Sequence, residues 1–278
     1  MERGTFTHPS YDPDREQAWH LSILSGQGVS AWAVHALSDG APVALHWAEG
    51  DNGLGSASNA GGTTALMDAG LPTKPRTVSF VTLPEWSTLV PEGALIPGSE
   101  PQHLALVHGG TPTGALRDEP VPSLGATCIY VHDDQAEYAL LDRFPNARPL
   151  PMQALIVRAA IARCAAMPLV LMHRGYDRTD VAIATDGRLL LSNSYPTRSA
   201  QDLLYFMLLA VEGCGLKPAQ VDMHHSGTHL TSGERDLLHR YFQHNAPAGH
   251  SSWENLAAGS GADLDRWLGV LEQFPCVS

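Results

Sequence analysis

Two stretches of the chain distribute apolar and polar positions in the same way. Residues 19 to 47, WHLSILSGQGVSAWAVHALSDGAPVALHW, run from an apolar strand to a glycine-containing turn. They continue through an alternating strand to Asp39-Gly40 and a third strand. Residues 169 to 195, LVLMHRGYDRTDVAIATDGRLLLSNSY, follow the same plan, with Asp186-Gly187 at the second turn. Asp-Gly between alternating strands predicts a type I′ hairpin, because both central positions of that turn take positive φ. Gly28 and Gly175 stand in the same register relative to the two Asp-Gly turns. The repeat predicts two similar halves, each opening with a three-stranded meander.

Helix and strand signals follow each meander. Beyond the glycine-rich EGDNGLGSASNAGG a short helix is expected around Thr63 to Ala69, then a strand at TVSFVTL. LVPEGAL reads as a proline-started helical turn, and HLALVH and TCIYVH as further strands. DDQAEYALLDRF sets an acidic first turn ahead of Tyr138, Leu141 and Phe144 at helical spacing. PMQALIVRAAIARCAA, residues 151 to 166, is an alanine-rich amphipathic helix expected to bridge the halves. Ser199 is placed to cap AQDLLYFMLLAVEGCG, which stops at Gly213 or Gly215 ahead of Pro218. AQVDMHHSG reads as a strand, and Ser232 as the cap of GERDLLHRYFQHN. A last helix from Ala262 to Phe274 puts Leu264, Trp267, Leu268 and Leu271 on one face. Strands alternating with helices give an α/β class. The halves are drawn at 1–150 and 151–278, with the bridging helix in the second.

Composition narrows the function classes. The chain has 278 residues, enough to bury a large core, and carries 17 basic against 29 acidic residues, a net charge of −12. That balance argues against gripping a nucleic-acid backbone, which needs clustered Lys and Arg. No apolar stretch reaches the ~18 residues expected of a membrane span. A cytoplasmic protein with no membrane association is therefore expected. Cys128, Cys164, Cys214 and Cys276 are widely separated with no CxxC pair, which favours reduced thiols over a disulfide framework.

The stretch GRLLLSNSYPTRSAQDLLYFMLLAVEGCGL resembles the signature of a bacterial domain-of-unknown-function family, DUF3822, which has an actin-like ATPase fold. That signature is a strand ending in Asn-Ser-aromatic, then a helix starting x-Asp-aliphatic-aliphatic-Tyr. Asn193, Ser194, Tyr195, Asp202 and Tyr205 sit at the matching positions. The resemblance extends upstream through TLVPEGAL and DRFPNARPLPMQAL, and downstream to HHSGTHLTSGERDLLHRYF. It implies an actin-like, ribonuclease H-like α/β fold of two similar lobes. Members of the family are not known to be enzymes.

Active actin-like enzymes carry a D-x-G hairpin in each lobe, where Asp organises Mg²⁺ and Gly lets amides approach the phosphates. Aligned on TDVAI, the second hairpin has His173 in place of that Asp, and Gly175 alone among the glycines. In the first hairpin the corresponding position reads as Ser22, with Gly26 and Gly28 near the turn. The turn that would pack on adenosine falls at HHSGTH, where Gly227 is present. Gly26, Gly28, Gly175 and Gly227 are thus the nucleotide contacts expected if any nucleotide binds. No catalytic residue, metal ligand or cofactor is assigned.

Other groupings have plainer explanations. His224, His225 and His229 form a cluster, but strand alternation turns His224 and His225 to opposite faces. GLGSASNAGGTT lacks the lysine of a P-loop, and Asp133 and Asp134 are accounted for as helix-start residues. Ser25, Ser30 and Ser226 lie outside any G-x-S-x-G context. Asp202 and Tyr205, about one helical turn apart, are read as structural, with a partner surface as the other reading. The expectation is a degenerate actin-like ATPase serving as a non-catalytic binding or scaffold protein with a protein partner. The alternatives are a nucleotide-binding protein that responds to ATP with little or no hydrolysis, and a small-molecule enzyme using the interlobe cleft.

Overall fold

The structure is a computed structural model and describes residues 2–26, 28–49, 71–72, 74–110, 113–249 and 266–277. The chain runs through β1 (Glu2–Thr7), β2 (Trp19–Gly26), β3 (Val29–Ala36), β4 (Pro42–Glu49), β5 (Thr77–Leu83) and β6 (Trp86–Pro91). Next come α1 (Glu100–His108), β7 (Leu116–Val121), β8 (Ala126–Val131), α2 (Asp134–Arg143), β9 (Arg148–Pro149) and α3 (Met152–Arg163). The second meander is β10 (Leu169–Arg174), β11 (Arg178–Thr185) and β12 (Arg188–Pro196). It is followed by α4 (Ala200–Gly213), β13 (Asp222–Gly227), α5 (Ser232–Tyr241), β14 (His244–Pro247) and the short α6 (Leu268–Leu271).

The strands form three sheets. The first has the order β1-β4-β3-β2-β5-β9 and the second β12-β11-β10-β13-β14. In both, an antiparallel meander is extended by parallel strands: β2 pairs β5 and β5 pairs β9, as β10 pairs β13 and β13 pairs β14. Strands β2 and β10 are buried along their whole length, as expected where both faces of a sheet are covered. The third sheet is small, in the order β6-β8-β7, with α1 packed on one face through Leu104.

Helix α3 lies between the two larger sheets. Its Met152, Leu155, Ile156 and Ala160 share one apolar cluster with Leu24, Leu45 and Leu83 of the first sheet. Leu171, Ala182 and Ala184 of the second sheet, and Trp267, Leu268 and Leu271, belong to the same cluster. On the outer face of the first sheet Leu21, Ile23 and Phe80 meet Leu140 of α2 and Phe144 at its C-cap. On the outer face of the second, Val170, Met172 and Ile183 meet Leu203 and Met207 of α4 and Leu238 of α5. The segment from Arg266 onward returns to the first sheet, where Gln273 Nε2 donates to Ile23 O at 2.8 Å and Phe274 stacks on His35.

Several expectations are corrected. HLALVH is not a strand but the body of α1, which has Pro101 in its first turn and Gly109 in the left-handed conformation at its C-cap. Only Asp186-Gly187 forms the turn with positive φ at both positions (49° and 72°). At Asp39-Gly40 the loop is longer: Gly40 N bonds to Ala36 O, and only Gly40 has positive φ. Thr231, not Ser232, caps α5, accepting from Glu234 N while Glu234 accepts from Thr231 N. Ser199 caps α4 as expected, in a capping box with Asp202. The helix expected near Thr63 to Ala69, the glycine-rich segment around it, and Leu264 lie outside the described residues. Among the described residues the last helix covers Leu268–Leu271, followed by a 3-10 turn at Phe274–Cys276.

Candidate functional site

The β10–β11 turn is built around a buried guanidinium. Arg174, 7% exposed, donates through Nη1 to the carbonyls of Gly175, Tyr176 (3.1 Å) and Arg178 (3.4 Å) and to Thr197 Oγ1 (3.0 Å). Its Nε donates to Glu234 Oε1 at 3.1 Å, tying the turn to the first turn of α5. A phosphate-binding hairpin aims amide N–H groups at its ligand. This one aims carbonyls at an internal cation.

A second arginine joins the two larger sheets. Arg266 Nη2 meets Glu49 Oε2 at 2.6 Å, its Nε donates to Gly227 O at 3.1 Å, and its Nη1 contacts His229 Nε2. Glu49 Oε1 also accepts from His229 N at 3.1 Å. The end of β4 is thereby fastened to the end of β13. Trp267 packs against Trp47 beside this link, with ring centroids 5.6 Å apart.

Beneath these contacts runs a line of buried charge. Glu85, between β5 and β6, accepts from Met152 N (2.7 Å), Gln153 N (3.1 Å) and Ser87 Oγ (2.8 Å), so it caps α3 from another part of the chain. Arg178 donates to Glu85 O, to Asp180 Oδ1 (3.0 Å) and to Ser194 Oγ. His132 lies between two carboxylates, 3.6 Å from Glu85 Oε2 and 3.3 Å from Glu137 Oε2, and Glu137 pairs with Arg117. Burial pushes the Glu85 carboxyl up, but His132, Arg178 and the Met152 amide outweigh it and hold it below the usual carboxylate range. Burial pushes His132 down, and Glu137 and Glu85 outweigh that, raising it. The side chains of Glu85 and His132 have no exposed surface, and Glu85 serves as the cap of α3.

A cavity of about 320 Å³ opens between β6 and β12. Its lining includes Ser87, His108, Gln153, Ser192, Asn193 and Ser194. Asn193 and Ser194, read in the sequence as part of a family signature, thus border open space. Gln153 Nε2 donates to Ser192 Oγ at 3.1 Å within this lining.

The four expected glycines have distinct placements. A Cβ on Gly26 would lie 1.9 Å from Leu83 O, and one on Gly227 would lie 2.2 Å from Arg174 O; both have positive φ. Close approach of neighbouring backbone therefore accounts for glycine at each. Gly28 has φ +77° in the first hairpin turn. Gly175 N bonds to Arg178 O at 2.8 Å just beyond β10, and Gly227 pairs with Arg174, the residue before it.

Hairpin register corrects the match between Ser22 and His173. His173 pairs with Asp180, seven positions on; the residue with the same separation in the first hairpin is Leu24, paired with Ala31, whereas Ser22 pairs with Ala33. Likewise Gly26, paired with Val29, corresponds to Gly175. The two hairpins differ in their distance to the Asp-Gly turn, so alignment on that turn sets Gly28 against Gly175, two positions beyond Gly26. Leu24 is core, and His173 is buried with Nδ1 3.1 Å from Ser226 Oγ. Burial lowers the His173 pKa, with Asp180 and Glu85 pulling the other way.

The three clustered histidines part company. His224 Nε2 is 3.3 Å from Asp222, His225 Nδ1 is 3.2 Å from Asn245 Oδ1, and His229 contacts Arg266. Among the described residues no three His, Cys, Asp or Glu side chains gather as a metal site. Asp133 caps α2 through Ala136 N at 3.0 Å. Tyr205 is 61% exposed and Asp202 belongs to the α4 cap. The described helices include none long and apolar enough to cross a membrane. Sequence reading missed Arg174, Arg266 and Glu85, because their partners are remote in the chain.

Comparisons with known proteins agree with this architecture. Residues 77–244 match a family described as "Protein of unknown function (DUF3822)". Comparison with curated proteins gives no match. A protein from Bacteroides thetaiotaomicron, described as having an actin-like ATPase fold and unknown function, is similar at TM-score 0.73 and 15% identity, covering 89% of this chain and 98% of that one. The PilM-PilN type IV pilus biogenesis complex is similar at TM-score 0.49 and 13% identity, covering 91% and 98% of the two chains. The ethanolamine utilization protein EutJ from Carboxydothermus hydrogenoformans follows at TM-score 0.46 and 10% identity, covering 96% and 92%. The first of these likenesses shows an α/β, actin-like fold.

Proposed function

The chain belongs to the family of proteins of unknown function, DUF3822, and from that premise we propose that it is a non-catalytic binding or scaffold protein. In this reading the two larger sheets centre two similar lobes, 1–150 and 151–278, each opening with a three-stranded meander. The space that holds nucleotide and metal in active relatives of the fold is given over to internal contacts. One observation carries the reading: the turn carbonyls of the second hairpin converge on Arg174. A hairpin whose carbonyls surround an internal cation is ill suited to a phosphate, and its first strand carries His173 where a magnesium-organising carboxylate belongs. The Arg266–Glu49 link supports the same view, because it joins the two sheets through side chains of the chain itself.

Calorimetric titration of the purified protein with ATP and ADP, with and without Mg²⁺, tests it. No heat, and no ATP-dependent rise in melting temperature, is expected. Micromolar, Mg²⁺-dependent binding would overturn the reading in favour of a nucleotide-responsive protein.

A further inference from the structure

Among the described residues, strands β6 and β12 are edges: β6 pairs with β8 alone in the small sheet, and β12 with β11 alone in the second. The cavity described above lies between these two edges, lined by Ser87, Thr88 and Leu89 from one and Ser192, Asn193 and Ser194 from the other. In an antiparallel ladder the backbone groups of alternate residues point away from the partner strand. Thr197 N bonds to Asp177 O, which fixes the phase of the β11–β12 ladder: Asn193 and Tyr195 bond inward, while Ser192 and Ser194 turn N–H and C=O outward. Glu92 N bonds to Gly125 O, which fixes β6 in the same way and turns Ser87 and Leu89 outward.

On each edge one outward backbone group is engaged by a side chain. Ser194 N donates to Asn193 Oδ1 at 2.8 Å, and Ser87 O is 3.0 Å from His108 Nε2. An amide oxygen on a strand N–H, and a ring nitrogen on a strand C=O, are stand-ins for the groups another strand would bring. Side chains that occupy an edge in this way keep it from indiscriminate pairing. The lining includes Gln153, Ser192 and Ser194, all uncharged, together with the exposed Val107, and the half-exposed Trp86 stands beside it. His108 is the one ionisable side chain in the lining, and it is stacked on Trp86.

We propose that this gap is a docking groove for an extended, uncharged segment of a partner polypeptide, which adds as a strand to the β12 edge. The incoming main chain bonds to Ser192 and displaces Asn193 from Ser194. Alternate side chains meet the uncharged polar lining and the apolar Val107 and Trp86, the usual division of labour in strand addition. A charged segment is disfavoured, because the lining offers it no counter-charge. The proposal rests on the binding reading above and names its site and the kind of partner.

The test is selection of a phage-displayed library of random linear nonapeptides on the immobilised full chain, followed by calorimetry with the enriched peptides as synthetic acetylated amides. Enriched sequences are expected to lack charge and to alternate apolar and polar residues. Their binding should slow amide exchange at Ser192. It should fall at least tenfold in Ser192→Pro, which removes an outward N–H at an edge position where proline is tolerated. Asn193→Ala, which frees the Ser194 amide, should tighten binding severalfold; this variant and the exchange data decide the matter if Ser192→Pro does not fold.

Three outcomes overturn the proposal: no enrichment, peptides that bind Ser192→Pro and Asn193→Ala as they bind the parent, or parent protein that dimerises through the β12 edge. None of these bears on ATP, so a failed selection with a silent ATP titration removes the groove and leaves the scaffold reading standing. Micromolar ATP binding with a successful selection does the reverse.

Discussion

Arg266 and Glu49 stand 217 residues apart in the chain, yet Nη2 and Oε2 are 2.6 Å apart. Both side chains are largely buried, at 4% and 16% exposed. Arg266→Met should therefore leave Glu49 short of a partner and lower stability by about 3 kcal/mol, the scale found when one member of a buried pair is removed. Urea unfolding measures it, and the double variant with Glu49→Gln should lose less than the sum of the single losses.

Arg174 meets three carbonyls of the second hairpin turn and Thr197 Oγ1, and pairs with Glu234. Lysine offers one ammonium in place of a planar fork, so Arg174→Lys should cost about 2 kcal/mol and Arg174→Met about 4 kcal/mol. Amide exchange should localise the loss to the β10–β11 turn and the start of α5. Unchanged stability in Arg174→Met would remove the observation on which the proposed function rests.

Glu85 replaces a local cap on α3: Pro151 at the N-cap offers no side-chain hydrogen bond, and the carboxylate arrives from between β5 and β6. Glu85→Gln keeps the shape but loses the charge that faces His132 and Arg178. A stability loss of about 3 kcal/mol is expected in chemical denaturation.

His20 and His35 sit under Phe274, and burial lowers them to about 3 and about 4, with the His35 charge adding to the shift at His20. Their folded values lie below the unfolded value near 6.5, so the unfolded chain binds more protons between these limits. Stability is full above about pH 6.5 and is lost as pH falls toward about 4. The groups around the pair are Thr77, Ser79 and Gln273, all neutral. Replacing His35 by Phe removes one titration, so the stability slope near pH 5 should be shallower than in the parent by about 1.4 kcal/mol per pH unit. Denaturation midpoints measured at pH 5 and pH 6 for both proteins decide it.

Strands β2 to β4 and β10 to β12, helix α3 and the caps of α2 and α4 were legible because their signals are local: apolar runs, turn residues, and Ser or Asp one residue before a helix. HLALVH was not, because a short apolar run fits a strand or a helix, and Pro101 and Gly109 settle the matter only when weighed as caps. Strand β7, LRDEPV, shows no apolar alternation; its Glu119 is held by Arg148 and Arg158, 29 and 39 residues away. The same distance hid the site. Arg174, Arg266 and Glu85 look like surface charges until the fold brings their partners to them. Alignment on the Asp-Gly turns set Gly28 against Gly175, two positions too late, because the two turns differ in length; the Ser22 match erred by two in the other direction, and only strand pairing shows either slip.

The return of the residues beyond 266 to the first sheet has a consequence for synthesis. Gln273 reaches Ile23 and Ser79, and Leu268 and Leu271 complete the cluster around Leu24 and Leu83. On the ribosome, the first sheet emerges long before the residues that seal its inner face. Until they arrive, that face stays open to water and to other nascent chains, so a product cut short before Arg266 would present an unsealed apolar surface to the cell's chaperones and proteases.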